Sequence, residues 1–398
     1  MKKVVLSRKY RPQKISDVIG QDFAVKTIKN AFELDKLAHS FLLTGIRGVG
    51  KTTIARIIAM GLNCVSFKKP SPDPCNQCNN CKEIIEDRFD EVLELDAASH
   101  TSVDDIREII SYIKYRPTKG KYKVFIIDEV HMLSNSAFNA LLKTIEEPPA
   151  YVKFIFCTTE INKIPVTILS RCQKFELGRV TKKDIILNLE KITDKENIKI
   201  DKDALISVAK FSEGSLRDSI MILEQAVLSS EGKPVLKEDV YRTIGHSGNK
   251  LLLDIFTEVI NGNCKSALQY LNHSYQLGAT PEVIMNELLH LTYLLLKFHS
   301  IKDRESAYEE YNKEQIDLLI KNTTISLLNQ FWQTLLKGIE EMKIAPQDIE
   351  ALEITIIRLS YSAKLPTLEE LVSSVSDEKN DDFNVNIDNN IGNDIRKI

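Results

Sequence analysis

Residues 41–52 read Phe-Leu-Leu-Thr-Gly-Ile-Arg-Gly-Val-Gly-Lys-Thr. A short apolar run leads into a glycine loop, and Lys51 and Thr52 then open a helical pattern, which predicts strand, loop and helix in that order. The N–H groups of such a loop converge on phosphate oxygens, and side chains at Gly45, Gly48 and Gly50 would block that approach. Lys51 supplies a cation for the β- and γ-phosphates and Thr52 a hydroxyl for Mg²⁺, with the positive end of the helix aimed at the same charge. Gly45, Ile46, Arg47, Gly48, Val49, Gly50, Lys51 and Thr52 are therefore candidate contacts for a nucleoside triphosphate. A glycine-rich turn with an incidental lysine is the plain alternative.

Outward from the loop, apolar segments at 41–44, 91–95, 123–127 and 152–157 alternate with helical patterns. That alternation predicts an α/β domain over residues 1–179, a parallel sheet with helices on both faces. One intervening helix is well marked: Ser134 or Ser136 can cap it, Phe138, Leu141, Leu142 and Ile145 form its stripe, and Pro148-Pro149 stops it. Residues 180–243 read as a small helical domain with polar loops at 193–203 and 229–237, and residues 244–362 as an all-α domain. There Thr280-Pro281 caps a helix, and amphipathic stretches run over 281–300, 326–343 and 347–361. No internal repeat of solenoid period is visible.

The strand at 124–127 ends in Asp128-Glu129, at the edge where parallel sheets place their ligands. Asp128 can share the Mg²⁺ with Thr52, and Glu129 can polarise an attacking water. Alone, such a pair is also a common surface turn; after a phosphate loop in the same sheet, the functional reading prevails. Cys64, Cys75, Cys78 and Cys81 have the spacing of a closed four-thiolate zinc site, structural because no position stays open. Cys75–Cys78 also has the spacing of a redox pair. Arg217, in the first turn of a helix capped by Ser215, sits where the helix dipole disfavours a cation. A nearby anion or a solvated pairing with Asp218 would each explain it. Arg171, in Ser170-Arg171-Cys172, follows a helical segment, an ordinary place for arginine.

At 398 residues the chain has room for two or three domains. The net charge is −3, but residues 363–398, with eight acids against four bases, carry −4 and leave residues 1–362 near +1, so no strong global field for nucleic acid exists. That tail, acidic and rich in asparagine, is expected to be disordered. With no signal peptide and no stretch near a membrane span, a cytoplasmic location with reduced thiols is expected.

Taken together, these pieces resemble the AAA+ ATPases of DNA clamp loaders, most closely the bacterial DNA polymerase III gamma/tau type, over about residues 5–362. The likeness rests on Arg8-Lys9-Tyr10-Arg11-Pro12, Val18-Ile19-Gly20-Gln21, the phosphate loop, the four-cysteine insertion, Asp128 to Leu133, Leu142 to Pro149, Ser170-Arg171-Cys172 and Gly214 to Asp218. It implies a P-loop AAA+ domain with an inserted zinc module at 64–81, then a helical lid and an oligomerisation collar. It implies ATP, Mg²⁺ and Zn²⁺ as the bound groups. Thr159 would be the sensor orienting water and γ-phosphate, Arg171 a finger completing a neighbour's ATP site, Arg217 the lid sensor, and Tyr10 and Arg11 would hold the adenine end. ATP binding would lock a ring-like assembly that opens the sliding clamp and loads it on primed DNA during replication. Implied partners are delta and delta-prime subunits, other copies of this chain, the clamp and primer–template DNA, with no membrane. Polymerase chemistry would belong to the rest of the holoenzyme, because no separate set of metal-binding acids is visible. His100 stands where the family often has a basic residue, so no DNA contact is assigned there. The short tail resembles the gamma form. The rival readings are a non-hydrolysing replication scaffold, which the intact Lys51, Thr52, Asp128, Glu129 and Arg171 oppose, and a different AAA+ DNA motor, which the cysteine insertion and Ser-Arg-Cys triplet oppose.

Overall fold

The computed structural model describes residues 5–99, 103–230, 232–244, 249–302, 311 and 313–364. The chain divides into two compact units, Met1–Thr243 and Ile244–Ile398.

The first unit is built on five parallel strands: β1 (Ser40–Thr44), β2 (Val92–Asp96), β3 (Lys123–Asp128), β4 (Val152–Thr158) and β5 (Gln173–Glu176), in the order β2-β3-β4-β1-β5. Alternate residues face opposite sides, so each apolar strand feeds two cores. Phe41, Leu43, Val124, Ile126, Ile155 and Cys157 pack in one core with α2 (Asp22–Glu33) and α3 (Lys51–Asn63). Leu42, Phe125, Ile127, Phe154 and Phe156 pack in the other with α5 (Val103–Ile113) and α6 (Asn135–Glu146). β5 is missing from the sequence reading because Gln-Lys-Phe-Glu offers a single apolar residue. Its Phe175 is buried, while an edge strand leaves the rest to solvent.

From β1 the chain crosses to β2 at one edge of the sheet, and from β4 it returns to β5 on the far side of β1. The crevice at the C-terminal end of β1 is therefore the switch point where ligands of parallel sheets bind. Two short helices, α1 (Leu6–Lys9) and α7 (Val166–Leu169), complete the sheet region. The first joins the N-terminal segment to the later helices, and α4 (Asn79–Ile85) belongs to the cysteine insertion between α3 and β2.

After β5 come α8 (Lys182–Glu196), α9 (Lys202–Phe211), α10 (Leu216–Ser229) and α11 (Lys237–Thr243). Ser134, Thr181 and Ser215 cap α6, α8 and α10 by accepting the N–H groups of Ala137, Asp184 and Asp218. α8 runs on to Glu196, so the loop expected from 193 shrinks to the turn at Asn197, which takes a left-handed conformation, and the residues before Lys202.

In the second unit, α12 (Asn249–Ile260), α13 (Cys264–Gln276), α14 (Pro281–Ile301), α15 (Lys313–Lys321), α16 (Ile325–Met342) and α17 (Asp348–Ser362) share one core around Leu288, Leu291, Phe331, Leu335 and Ile356. Thr280 caps α14 ahead of Pro281, as its sequence implies. The acidic tail lies outside the described residues, apart from Ala363 and Lys364.

Candidate nucleotide site and cysteine cluster

The loop between β1 and α3 needs its glycines for two separate reasons. Gly48 has φ +75, and a Cβ there would collide with Ser215 Oγ at the start of α10. Gly45 has φ +145, and a Cβ would run into the Leu177 carbonyl. Lys51 is almost fully buried and its Nζ donates to the carbonyls of Gly45 (2.9 Å) and Ile46 (3.0 Å), folding back over the loop. Burial pushes its pKa down, and the nearby Glu129 and Asp128 carboxylates pull against that shift.

β3 brings the acids to this loop. Thr52 Oγ1 donates to Asp128 Oδ2 at 2.7 Å, so the first turn of α3 and the end of β3 already meet at the point where a divalent cation would be held. Glu129 adopts a left-handed conformation (φ +46), a position that costs a non-glycine residue free energy. Its Oε2 accepts the Thr159 hydroxyl (3.1 Å) and N–H (3.3 Å), which ties the end of β3 to the end of β4. His131 lies between two carboxylates, 3.5 Å from Glu129 and 3.3 Å from Glu160, with Thr158 Oγ1 at 3.0 Å.

A cleft of about 670 Å³ opens here, lined by Gly48 to Thr53, Asp128, Glu129, Tyr10, Arg11, Val18, Ile19 and Arg217. Arg11 Nε donates to Thr53 Oγ1 (3.2 Å), and burial followed by the nearby Arg56 lowers its pKa. The Tyr10 hydroxyl donates to Glu196 of α8, and Lys9 Nζ lies 2.5 Å from the same carboxylate. The Arg217 N–H donates to the Gly48 carbonyl (3.2 Å), so α10 starts directly on the loop. Thr159 does not line the cleft but touches Glu129, which does. Arg171 is also absent from the cleft wall: its guanidinium donates to the Thr167 carbonyl (2.7 Å) and pairs with Glu146. The structure thus gathers the residues expected for the nucleotide at or beside one cleft, with Arg171 outside it, and His100 lies outside the described residues.

The four expected cysteines also converge. The Sγ atoms of Cys64, Cys75, Cys78 and Cys81 lie within 4.8 Å of one another, with Cys75 and Cys81 at 4.0 Å. Thiolates on one tetrahedral zinc, each at about 2.3 Å from the metal, would sit slightly less than 4 Å apart, so the cluster fits the ion in size as well as in donor chemistry. For Cys75, burial acts to raise the pKa. Hydrogen bonds from Ser66 Oγ and the N–H groups of Gln77 and Cys78 outweigh it and bring the thiol down to about 6. Burial pushes Cys81 the other way. Cys157, buried behind Lys51 and Asp128, stands apart as a core residue.

Arg56 and Asp87 were not singled out by the sequence, yet both line the cleft. An arginine in mid-helix and an aspartate in a polar loop carry no pattern of their own; only the fold brings them together. Asp96 joins them in the lining for the same reason, and Arg8 enters it from the Arg8–Pro12 segment.

DNA polymerase III subunit gamma of Buchnera aphidicola subsp. Baizongia pistaciae is 38% identical over 358 residues, which cover 89% of this chain and 96% of that one. The chain belongs to the DNA polymerase III gamma/tau subunit family. As a family member it is a clamp-loader ATPase subunit. Family models match in succession: "DNA polymerase III, delta subunit" over residues 20–181, "DNA polymerase III clamp loader subunit, ATPase lid domain" over 184–232, and "DNA polymerase III subunits gamma and tau domain III" over 235–375. DNA polymerase III subunit tau of Escherichia coli is 37% identical over 369 residues, and the match spans 56% of that longer protein. Among solved structures, the RuvB Holliday junction branch migration motor of Thermotoga maritima aligns with a TM-score of 0.44 at 20% identity, over 63% of this chain and 79% of that one. This gamma/tau-family chain has no described helix long and apolar enough to cross a membrane.

Proposed function

We propose that this clamp-loader subunit binds ATP in the cleft above β1 and uses its hydrolysis to open a sliding clamp and release it closed on primed DNA. The observation that carries the reading is the 2.7 Å bond from Thr52 to Asp128 beside the buried Lys51, which places phosphate-loop cation, hydroxyl and carboxylate at one point. Lys51 and the loop N–H groups hold the phosphates. Thr52 and Asp128 would hold Mg²⁺, which when bound screens phosphate charge. Glu129 orients and deprotonates water, and Thr159 positions it. Arg217 reports the γ-phosphate from the lid, where its contact with Gly48 already joins α10 to the loop. Arg171, away from its own cleft, serves the cleft of the next copy. The four cysteines hold a structural zinc that closes residues 64–81.

On this reading residues 1–179 form the AAA+ domain, 180–243 the lid, and 244–362 the collar that joins it to further copies and to delta and delta-prime subunits. ATP favours the assembled form by making contacts that hydrolysis removes. The test is equilibrium ATP binding by the purified chain and turnover by the reconstituted loader, with and without clamp and primed DNA. Wild type should retain ATP and be stimulated by clamp and primed DNA, and Lys51→Ala should fail in both. Equal ATP retention by Lys51→Ala and wild type would reject the site.

A further inference from the structure

The cysteine module and the nucleotide cleft share a wall. Cys81 lies on α4, a helix that packs on α3, the helix of the phosphate loop. Just past the end of α4 stands Asp87, held in a left-handed conformation (φ +57) that an aspartate tolerates better than most residues. Its carboxylate lies 2.5 Å from Arg56 Nη1 on α3 and 3.9 Å from Arg8 Nη2. Arg56 is itself fixed on the other side by Glu94 of β2, with Nε at 2.6 Å. Arg56, Asp87 and Arg8 all line the cleft, on the side of Arg11 and Thr53. Only five residues separate Cys81 of the cluster from Asp87 in the cleft wall.

We propose that the Asp87–Arg56 ion pair is the link through which the four-cysteine module shapes the nucleotide cleft, making both positioning residues for nucleoside triphosphate binding. Closure of the cluster fixes α4, α4 fixes Asp87, and Asp87 fixes the guanidinium of Arg56. Without the carboxylate, Arg56 and Arg11 lie close with less compensation, and mutual repulsion loosens the wall. The inference rests on the cleft being the ATP site.

The test measures ATP affinity, zinc content and steady-state turnover for wild type, Asp87→Asn, Arg56→Lys, the double variant and Lys51→Ala. Asp87→Asn should keep one zinc and a native circular dichroism spectrum but bind ATP about tenfold more weakly, with the loss in KM rather than in kcat. The double variant should lose no more than the worse single variant, because the two residues act as a unit. Chelation of zinc from wild type should weaken ATP binding by a similar factor, and chelation from Asp87→Asn should add nothing. Wild-type affinity in Asp87→Asn, or fully additive losses, would overturn the link while leaving the nucleotide site standing. Unchanged affinity in Lys51→Ala would instead indict the site itself.

Discussion

Glu129 shows how much rests on single side chains. Its left-handed backbone and its hold on Thr159 place a carboxylate between the ends of β3 and β4, beside the Asp128–Thr52 pair. Glu129→Gln keeps the size and the acceptor for Thr159 but removes the proposed base. ATP binding should persist while turnover falls by roughly 10²–10⁴-fold, the usual contribution of a positioned proton acceptor; single-turnover assays after ATP loading would show it. Turnover near wild type would move the base elsewhere. That the loop and the Asp128-Glu129 strand end would meet was legible in the sequence, because both follow apolar strands of one parallel sheet. The grip of Glu129 on Thr159 was not, because it depends on β3 pairing beside β4.

Among the elements, caps and loop anchors carry testable weight. Ser215 caps α10, the helix that starts on Gly48 and presents Arg217. Ser215→Ala should cost about 1 kcal/mol, lowering Tm by about 2–4 °C, and should weaken ATP binding as well, since the same turn meets the loop. Thermal melts with and without ATP separate the two effects, and an unchanged melt would remove the cap from the account.

Glu91, just before β2, holds the loop ahead of β3 by accepting the N–H groups of Thr118 (2.5 Å), Lys119 (2.7 Å) and Gly120 (2.7 Å). Burial alone would raise its pKa, but these donors outweigh burial and lower it below the ordinary carboxylate value of 4.5. A depressed carboxylate stabilises the fold above its unfolded pKa, and the contribution is lost as pH falls through the folded one. Glu91→Gln should therefore lower Tm at neutral pH and flatten the loss of stability below about pH 4.5. A parallel acid profile in the variant would contradict this. The stripe of α6 and the Thr280 cap before Pro281 were readable in the sequence, which left the α6 cap open between Ser134 and Ser136, whereas β5, with only Phe175 buried, left no pattern to read.

Across the whole molecule, the α/β unit with its cysteine insertion and the helical unit that follows match the succession of family models along the chain. Zinc should be present at about one equivalent per chain in metal analysis, as four closed thiolates require; a folded, metal-free preparation would contradict the cluster's assignment. Arg171 is held by Glu146 and the Thr167 carbonyl, outside its own cleft, and spacing alone could not distinguish a finger from a solvated arginine.

The most direct measurement is clamp- and primer-stimulated ATP turnover by loaders reconstituted with Arg171→Ala, alongside ATP binding by the same protein. A pocket completed by a neighbour predicts ATP binding close to wild type with stimulated turnover nearly abolished. Full stimulation in that variant would contradict a shared pocket.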